Sequence, residues 1–178
     1  MVPLGTPAPP FELPNAIDGK LVSLHDFHTA KALLVMFICN HCPFVVHVQS
    51  QFGKLATDYM PKGLAMVAVN SNSLRDYPHD GPENMKKLAI ELKWPFPFLL
   101  DATQKVARAY EAACTPDFFL FDGSHNLVYR GQLDDSRPRN QIPVTGRDLR
   151  AAIDCVLSGK PVTPDQKPSV GCNIKWET

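Results

Sequence analysis

The sequence predicts one α/β domain, a central mixed β-sheet flanked by helices. Three observations predict it. Continuous apolar runs of strand length occur at residues 33–38 and 64–69, segments with the 3.6-residue period of a helix alternate with them, and a hairpin signal follows in the second half. The 178 residues, 44% of them hydrophobic, can bury one sizeable core, so residues 1–160 are expected to form a single domain with residues 161–178 as a tail packed on it.

Residues 1–14 carry five of the seventeen prolines, which lack an amide hydrogen and fix φ, so an extended arm over the core is expected there. Residues 20–24 follow Asp18-Gly19 and read as a short strand, which gives a small N-terminal hairpin. The run 33–38 suits a strand covered on both faces and ends at Cys39. Pro43 fits the first helical position, and Phe44, Val48, Phe52, Leu55 and Tyr59 then recur at helical spacing, an amphipathic helix with Cys42 at its cap.

Residues 64–69 read as a second buried strand and the polar segment 70–80 as a long surface loop. A helix restarts near Pro82, with Met85, Leu88, Ala89 and Leu92 on one face, and Lys93-Trp94-Pro95 ends it. After a short strand at 96–100, Asp101 and Gln104 form a capping box for a helix to Tyr110. Residues 118–121 and 127–130 flank Asp122-Gly123-Ser124, the chemistry of an antiparallel hairpin. A last helix begins at Thr145, buries Leu149, Ile153, Val156 and Leu157, and stops at Gly159, leaving an irregular tail with three prolines.

Eighteen basic and eighteen acidic residues cancel, so no global field favours nucleic acid or an anionic membrane, and neither is expected as a partner. The N-terminus lacks the basic head and apolar stretch of a secretion signal, and five widely spaced cysteines do not form the dense framework of a secreted mini-protein. A cytoplasmic protein is expected, and in that compartment cysteines are catalytic, metal-binding or core.

The chemistry centres on Cys39-Asn40-His41-Cys42-Pro43. A strand followed at once by C-x-x-C and a helix puts a sulfur at the positive helix end, which favours thiolate, the nucleophile of disulfide exchange. Cys42 is the expected attacker, because Pro43 leaves it at the cap beside free N–H groups, and Cys39 the partner that breaks the mixed disulfide. His41 stabilises the thiolate or relays a proton, and His47 is a less direct candidate. Cys39, His41, Cys42 and His47 also suit zinc, but a single C-x-x-C without a second ligand pair points to no metal and no cofactor. Cys155, among Ile153, Val156 and Leu157, reads as core.

The lead-in Phe11-Glu12-Leu13-Pro14 with residues 18–24, the segment 37–43, and Cys114-Thr115-Pro116-Asp117-Phe118-Phe119-Leu120 together resemble the thioredoxin-like redoxins, which include thiol:disulfide interchange proteins and peroxiredoxins. More narrowly, these segments with 129–138 and 171–176 resemble a bacterial redoxin subgroup. The resemblance implies a thioredoxin fold with an N-terminal hairpin extension. It also implies a thiol-disulfide oxidoreductase acting on disulfides or hydroperoxides with a thiol reductant. In it Pro116 is a cis-proline, and Thr115 and Pro116 hold an extended substrate backbone beside Cys42. Measured from the strand, Cys42 stands where a thioredoxin has its first cysteine, with His41 in place of Trp and Val45 in place of the second cysteine. The other register makes Cys39 the attacker. A thiol-dependent peroxidase with Cys42 as the peroxidatic sulfur is the alternative; it departs from the family pattern in having Cys39 where Thr or Ser is usual, and it would draw a cation from Arg108, Arg130 or Arg137. A binding or metal-storage module is the third reading. Cys114 and Cys172 are further candidate redox thiols, Cys172 as a resolving thiol on the folded-back tail.

Overall fold

The computed structural model describes residues 2–178. The prolyl arm leads into β1 (Glu12–Pro14), which pairs antiparallel with β2 (Leu21–Ser23) across a turn at Gly19, whose φ of 77° favours glycine. The expected N-terminal hairpin is therefore present, as an extension beside the main sheet.

That sheet holds β3 (Ala32–Phe37), β4 (Leu64–Asn70), β5 (Phe98–Leu100), β7 (Asp117–Asp122) and β8 (Leu127–Gly131) in the order β5-β4-β3-β7-β8. Between β5 and β7 in the chain lies the two-residue β6 (Cys114–Thr115). The pairs β3–β4 and β4–β5 are parallel, and β3–β7 and β7–β8 antiparallel, so the sheet is mixed. All six residues of β3 are buried, because apolar layers cover both of its faces. Leu34 and Met36 point into one layer with Val45, Phe52, Leu55, Met85, Leu149 and Ile153, whereas Leu33, Val35 and Phe37 point into the other with Val106, Tyr110 and Phe11.

Helices α1 (Pro43–Val48), α2 (Ser50–Tyr59), α3 (Pro82–Glu91) and α5 (Arg147–Leu157) thus contribute to the first layer and α4 (Lys105–Tyr110) to the second. The helix expected from Phe44 to Tyr59 is interrupted at Gln49. Since Gln49 keeps helical dihedrals (φ −61°, ψ −25°), Val45, Val48, Phe52, Leu55 and Tyr59 stay on one buried face. Among the described residues no helix is long and apolar enough to cross a membrane.

Three expectations need correction. Residues 70–73 are buried rather than a surface loop, because the segment folds under the ends of β4 and β5 and its polar groups find internal partners. Asn70 donates through Nδ2 to the Asp80 carbonyl at 2.7 Å, and Ser71 donates to the Asp101 carboxylate at 2.7 Å. The capping box does not form: Asp101 accepts the Val106 and Ala107 N–H groups, while Gln104, at φ 63°, sends its side chain to the carbonyls of Ser71 and Lys175. The tail is not wholly irregular surface, since β9 (Cys172–Asn173) pairs antiparallel with β6, and Ile174 is buried.

Candidate active site

Ile38 extends the β3 ladder by donating to the Val69 carbonyl at 2.9 Å, which carries the chain to Cys39 at the end of the sheet. Pro43 is the first residue of α1 and Cys42 its N-cap, in extended conformation (φ −62°, ψ 127°). This tight path from strand to helix turns both sulfurs inward, leaving Cys39 2% and Cys42 3% exposed. The peptide bond from Thr115 to Pro116 is cis. Thr115 lies against both cysteines: its Oγ1 is 3.7 Å from Cys39 Sγ, and its carbonyl oxygen is 3.5 Å from Cys42 Sγ.

The surroundings of the cluster favour negative charge on Cys42 over the other sulfurs. The Cys42 pKa is lowered to about 4, chiefly by the hydrogen bond from the Cys39 thiol, which with smaller contributions from Cys172, Thr115 and the Val45 N–H outweighs the cost of burial. Cys39 is pushed far above the thiol range by donating to Cys42, by burial and by the nearby Asp80 charge. Cys172 is raised to about 11, by burial first and then by its hydrogen bond to Cys42. Cys114 is raised to about 12, mostly by burial; its sulfur is 3.6 Å from the Pro116 carbonyl, which accepts its S–H.

His41 pairs with Asp80. Its Nδ1 lies 2.9 Å from Oδ1 of Asp80, and since a carboxylate only accepts, Nδ1 carries the hydrogen and Nε2 is left for other work. The ring stacks on Tyr77 at 6.2 Å between centroids. Asp80 is 0% exposed and also accepts the Asn40 N–H at 3.1 Å and the Asn72 Nδ2 at 3.0 Å. Ligand atoms of Cys39, His41 and Asp80 lie within 4.8 Å of one another. His47 leaves the cluster, with Nε2 2.7 Å from the Ser136 hydroxyl, so the four expected Cys and His donors are not brought together.

Cys155, expected in the core, is only half buried. The three arginines have partners of their own, although Arg130 also keeps a buried Nη1 without a hydrogen-bond partner among the described residues, and its charge acts on Cys114. Arg130 donates to the Glu111 carbonyl at 2.6 Å and to Asp117 at 3.4 Å and stacks over Phe119, Arg137 donates to Gln132 and to the carbonyls of Asp134 and Ser136, and Arg108 lies over Trp176. One neighbour of the cluster escaped sequence reasoning: Asp80 lay inside a segment read as solvated, marked by nothing except its place before the Gly81-Pro82 helix start. Cys172, expected on a folded-back tail, is brought opposite Thr115 by the pairing of β6 with β9.

The family model described as Redoxin matches residues 3–149. The crystal structure of an uncharacterized conserved protein from Geobacillus kaustophilus is 62% identical, with a TM-score of 0.97 over 99% of this chain and 94% of that one. A hypothetical protein from Sinorhizobium meliloti is 51% identical, with a TM-score of 0.97 over 100% and 97% of the two chains. The thioredoxin domain of a thiol-disulfide oxidoreductase from Bacteroides vulgatus is 23% identical, with a TM-score of 0.62 over 73% and 89%, a likeness of fold. No curated protein matches the chain.

Proposed function

The chain belongs to the redoxin family, whose chemistry is that of thiols, and from that premise we propose that it is a thiol-disulfide oxidoreductase with Cys42 as exchanging sulfur and Cys39 as disulfide partner. The observation that carries this reading is the pair of buried cysteines where β3 gives way to α1, with Cys42 at the helix N-cap and both sulfurs against Thr115 of the cis-proline loop. The opposite displacement of the two pKa values favours Cys42 as attacker over the register in which Cys39 attacks first.

In the proposed reaction the Cys42 thiolate attacks one sulfur of a substrate disulfide. A bond forms between Cys42 and that sulfur, and the substrate's other sulfur leaves with the electron pair and takes a proton. Cys39 then loses its proton and attacks Cys42. The Cys39–Cys42 bond forms, the substrate's remaining sulfur departs, and an external thiol reductant restores the pair. His41 and Asp80, adjacent to Cys39, are the groups positioned to take its proton, and Pro43 fixes the cap that aims Cys42. Thr115 and Pro116 hold the substrate backbone in this reading, on an edge that the chain's own tail occupies in the structure. The odd number of scattered cysteines keeps the reducing cytosol as the proposed compartment.

Peptide mapping of oxidised protein is expected to find a bond between residues 39 and 42, and Cys42→Ser is expected to abolish reduction of insulin disulfides. A Cys42→Ser protein as active as wild type refutes the reading. The hydroperoxide alternative has less support, since Arg108 lies over Trp176, Arg137 is held by Gln132, and Arg130 is paired with Asp117. Sulfenic acid forming on Cys42 far faster than on free cysteine after rapid mixing with hydrogen peroxide would restore it. A metal module at Cys39, His41 and Asp80 predicts close to one equivalent of zinc in protein purified without chelator.

A further inference from the structure

Cys42, the sulfur with the chemistry, is nearly inaccessible, and its cover is the chain's own tail. In β6 and β9 Thr115 stands opposite Cys172 and Cys114 opposite Asn173, and the Ile174 N–H points at the Ala113 carbonyl at 3.5 Å. This is the way an added antiparallel strand docks on an open edge. The approach is close: a Cβ on Gly171 would lie 2.0 Å from the Thr115 carbonyl oxygen and 2.7 Å from its carbon, so only glycine fits where the tail meets the cis-proline loop.

The tail is held there by more than two residues. Ile174 is buried, Lys175 donates its N–H to Asn72 at 3.0 Å, and the Gln104 side chain bridges the Lys175 carbonyl and the Glu177 N–H. The consequence is that Cys172 stands opposite Thr115, whose carbonyl oxygen is 3.5 Å from Cys42 Sγ, and stays partly exposed where Cys39 and Cys42 are buried.

We propose that Cys172 is a third redox cysteine, presented by the tail on the Thr115 edge as a tethered substrate, and that it is the sulfur through which the buried Cys39–Cys42 pair exchanges with external thiols and disulfides. The proposal rests on the reading of Cys42 as the exchanging sulfur.

The internal step needs no outside oxidant. In protein holding the Cys39–Cys42 disulfide, Cys172 gives up its proton and attacks Cys42 Sγ. The Cys42–Cys172 bond forms and the Cys39–Cys42 bond breaks with its electron pair going to Cys39, which takes up a proton. An external dithiol then attacks the accessible Cys172, and Cys42 leaves, as the sulfur of lowest pKa leaves fastest. The dithiol's second sulfur attacks the mixed disulfide and releases Cys172, so the dithiol ends as a disulfide and all three protein sulfurs end reduced. Run backwards, the same steps carry a substrate disulfide into the buried pair.

The test uses two full-length variants, Cys39→Ser and Cys172→Ser, each checked for native fold by circular dichroism. Reduced protein is oxidised with one equivalent of diamide and mapped by mass spectrometry, and the burst of reduced protein with dithiodipyridine is timed. Cys39→Ser is expected to give a bond between residues 42 and 172, and Cys172→Ser a bond between 39 and 42. Cys172→Ser is also expected to slow the burst at least about tenfold, because reaction at Cys42 then waits on local opening of the tail. Gly171→Ala, which keeps the thiol and displaces its strand, is expected to abolish the bond between 42 and 172 in the Cys39→Ser background. A burst in Cys172→Ser as fast as wild type, or no bond between 42 and 172 in Cys39→Ser, overturns the inference about the tail. If Cys172→Ser gives no bond between 39 and 42, the underlying reading of the Cys39–Cys42 pair fails instead.

Discussion

Cys39→Ala tests the electrostatic claim on which the chemistry depends. The Cys39 thiol is the largest single influence lowering the Cys42 pKa, and the substitution removes that donor while leaving Cys172, Thr115 and the Val45 N–H in place. A hydrogen bond to a charged group contributes about 1.5–3 kcal/mol, and one pKa unit corresponds to about 1.4 kcal/mol, so Cys42 should rise by about 1–2 units. Starting from about 4, it should then titrate near 5–6.

The sign follows from the lowered value: the reactive thiolate is present above the folded pKa and is lost as pH falls through it. At about pH 5 the variant should keep roughly a tenth to a half of its Cys42 as thiolate, against about nine-tenths in wild type. Near neutral pH both are ionised, and the more basic thiolate of the variant should react about 3–10-fold faster, since nucleophilicity grows with basicity. The assay is the pH dependence of Cys42 alkylation by iodoacetamide, followed on its peptide by mass spectrometry. Opening of the tail scales the rates without moving their inflection. Cys39→Ser, which retains a hydroxyl donor, should fall between the two. Superimposable profiles for wild type and Cys39→Ala, or a wild-type inflection near the ordinary thiol value, would refute the assignment.

Other perturbations follow from the surrounding structure. Asp80→Asn keeps the shape but can no longer accept from all of Asn40, His41 and Asn72, and it should lower stability by about 1.5–3 kcal/mol in urea unfolding. Arg130→Ala removes the ion-pair partner of the buried Asp117, which still accepts the Ala113 N–H, and strips the face of Phe119, for an expected loss of about 3–5 kcal/mol, whereas Arg130→Met should lose less because it refills the space. Phe52→Ala removes a fully buried ring packed on Phe118 and Trp94 and should cost about 3–5 kcal/mol in the same measurement.

Much of the fold was legible because its signals are local. Residues 33–38 are apolar at every position, as a doubly covered strand requires, and β3 runs through that segment. The hairpin around Asp122-Gly123-Ser124 and the cap at Cys42-Pro43 also depend on a few adjacent residues. Residues 70–73 and Asp80 misled for the complementary reason. Asn, Ser and Asp read as solvated when their partners are unknown, yet here Ser71 bonds to Asp101 and Asn72 to Asp80 and to Lys175 of the tail.

What the sequence by itself determined was the order of the main strands and helices and the place of residues 39–43 between a buried strand and a helix start, because hydrophobic period, turn residues and a cap are written within a few positions of one another. The tertiary structure alone decided that Asp80 rather than His47 joins Cys39 and His41, that Arg137 is held by Gln132 and neighbouring carbonyls, and that Cys172 stands opposite Thr115. Each of these depends on strand pairing and loop closure between distant segments. Position on an edge, unlike propensity, belongs to the fold as a whole.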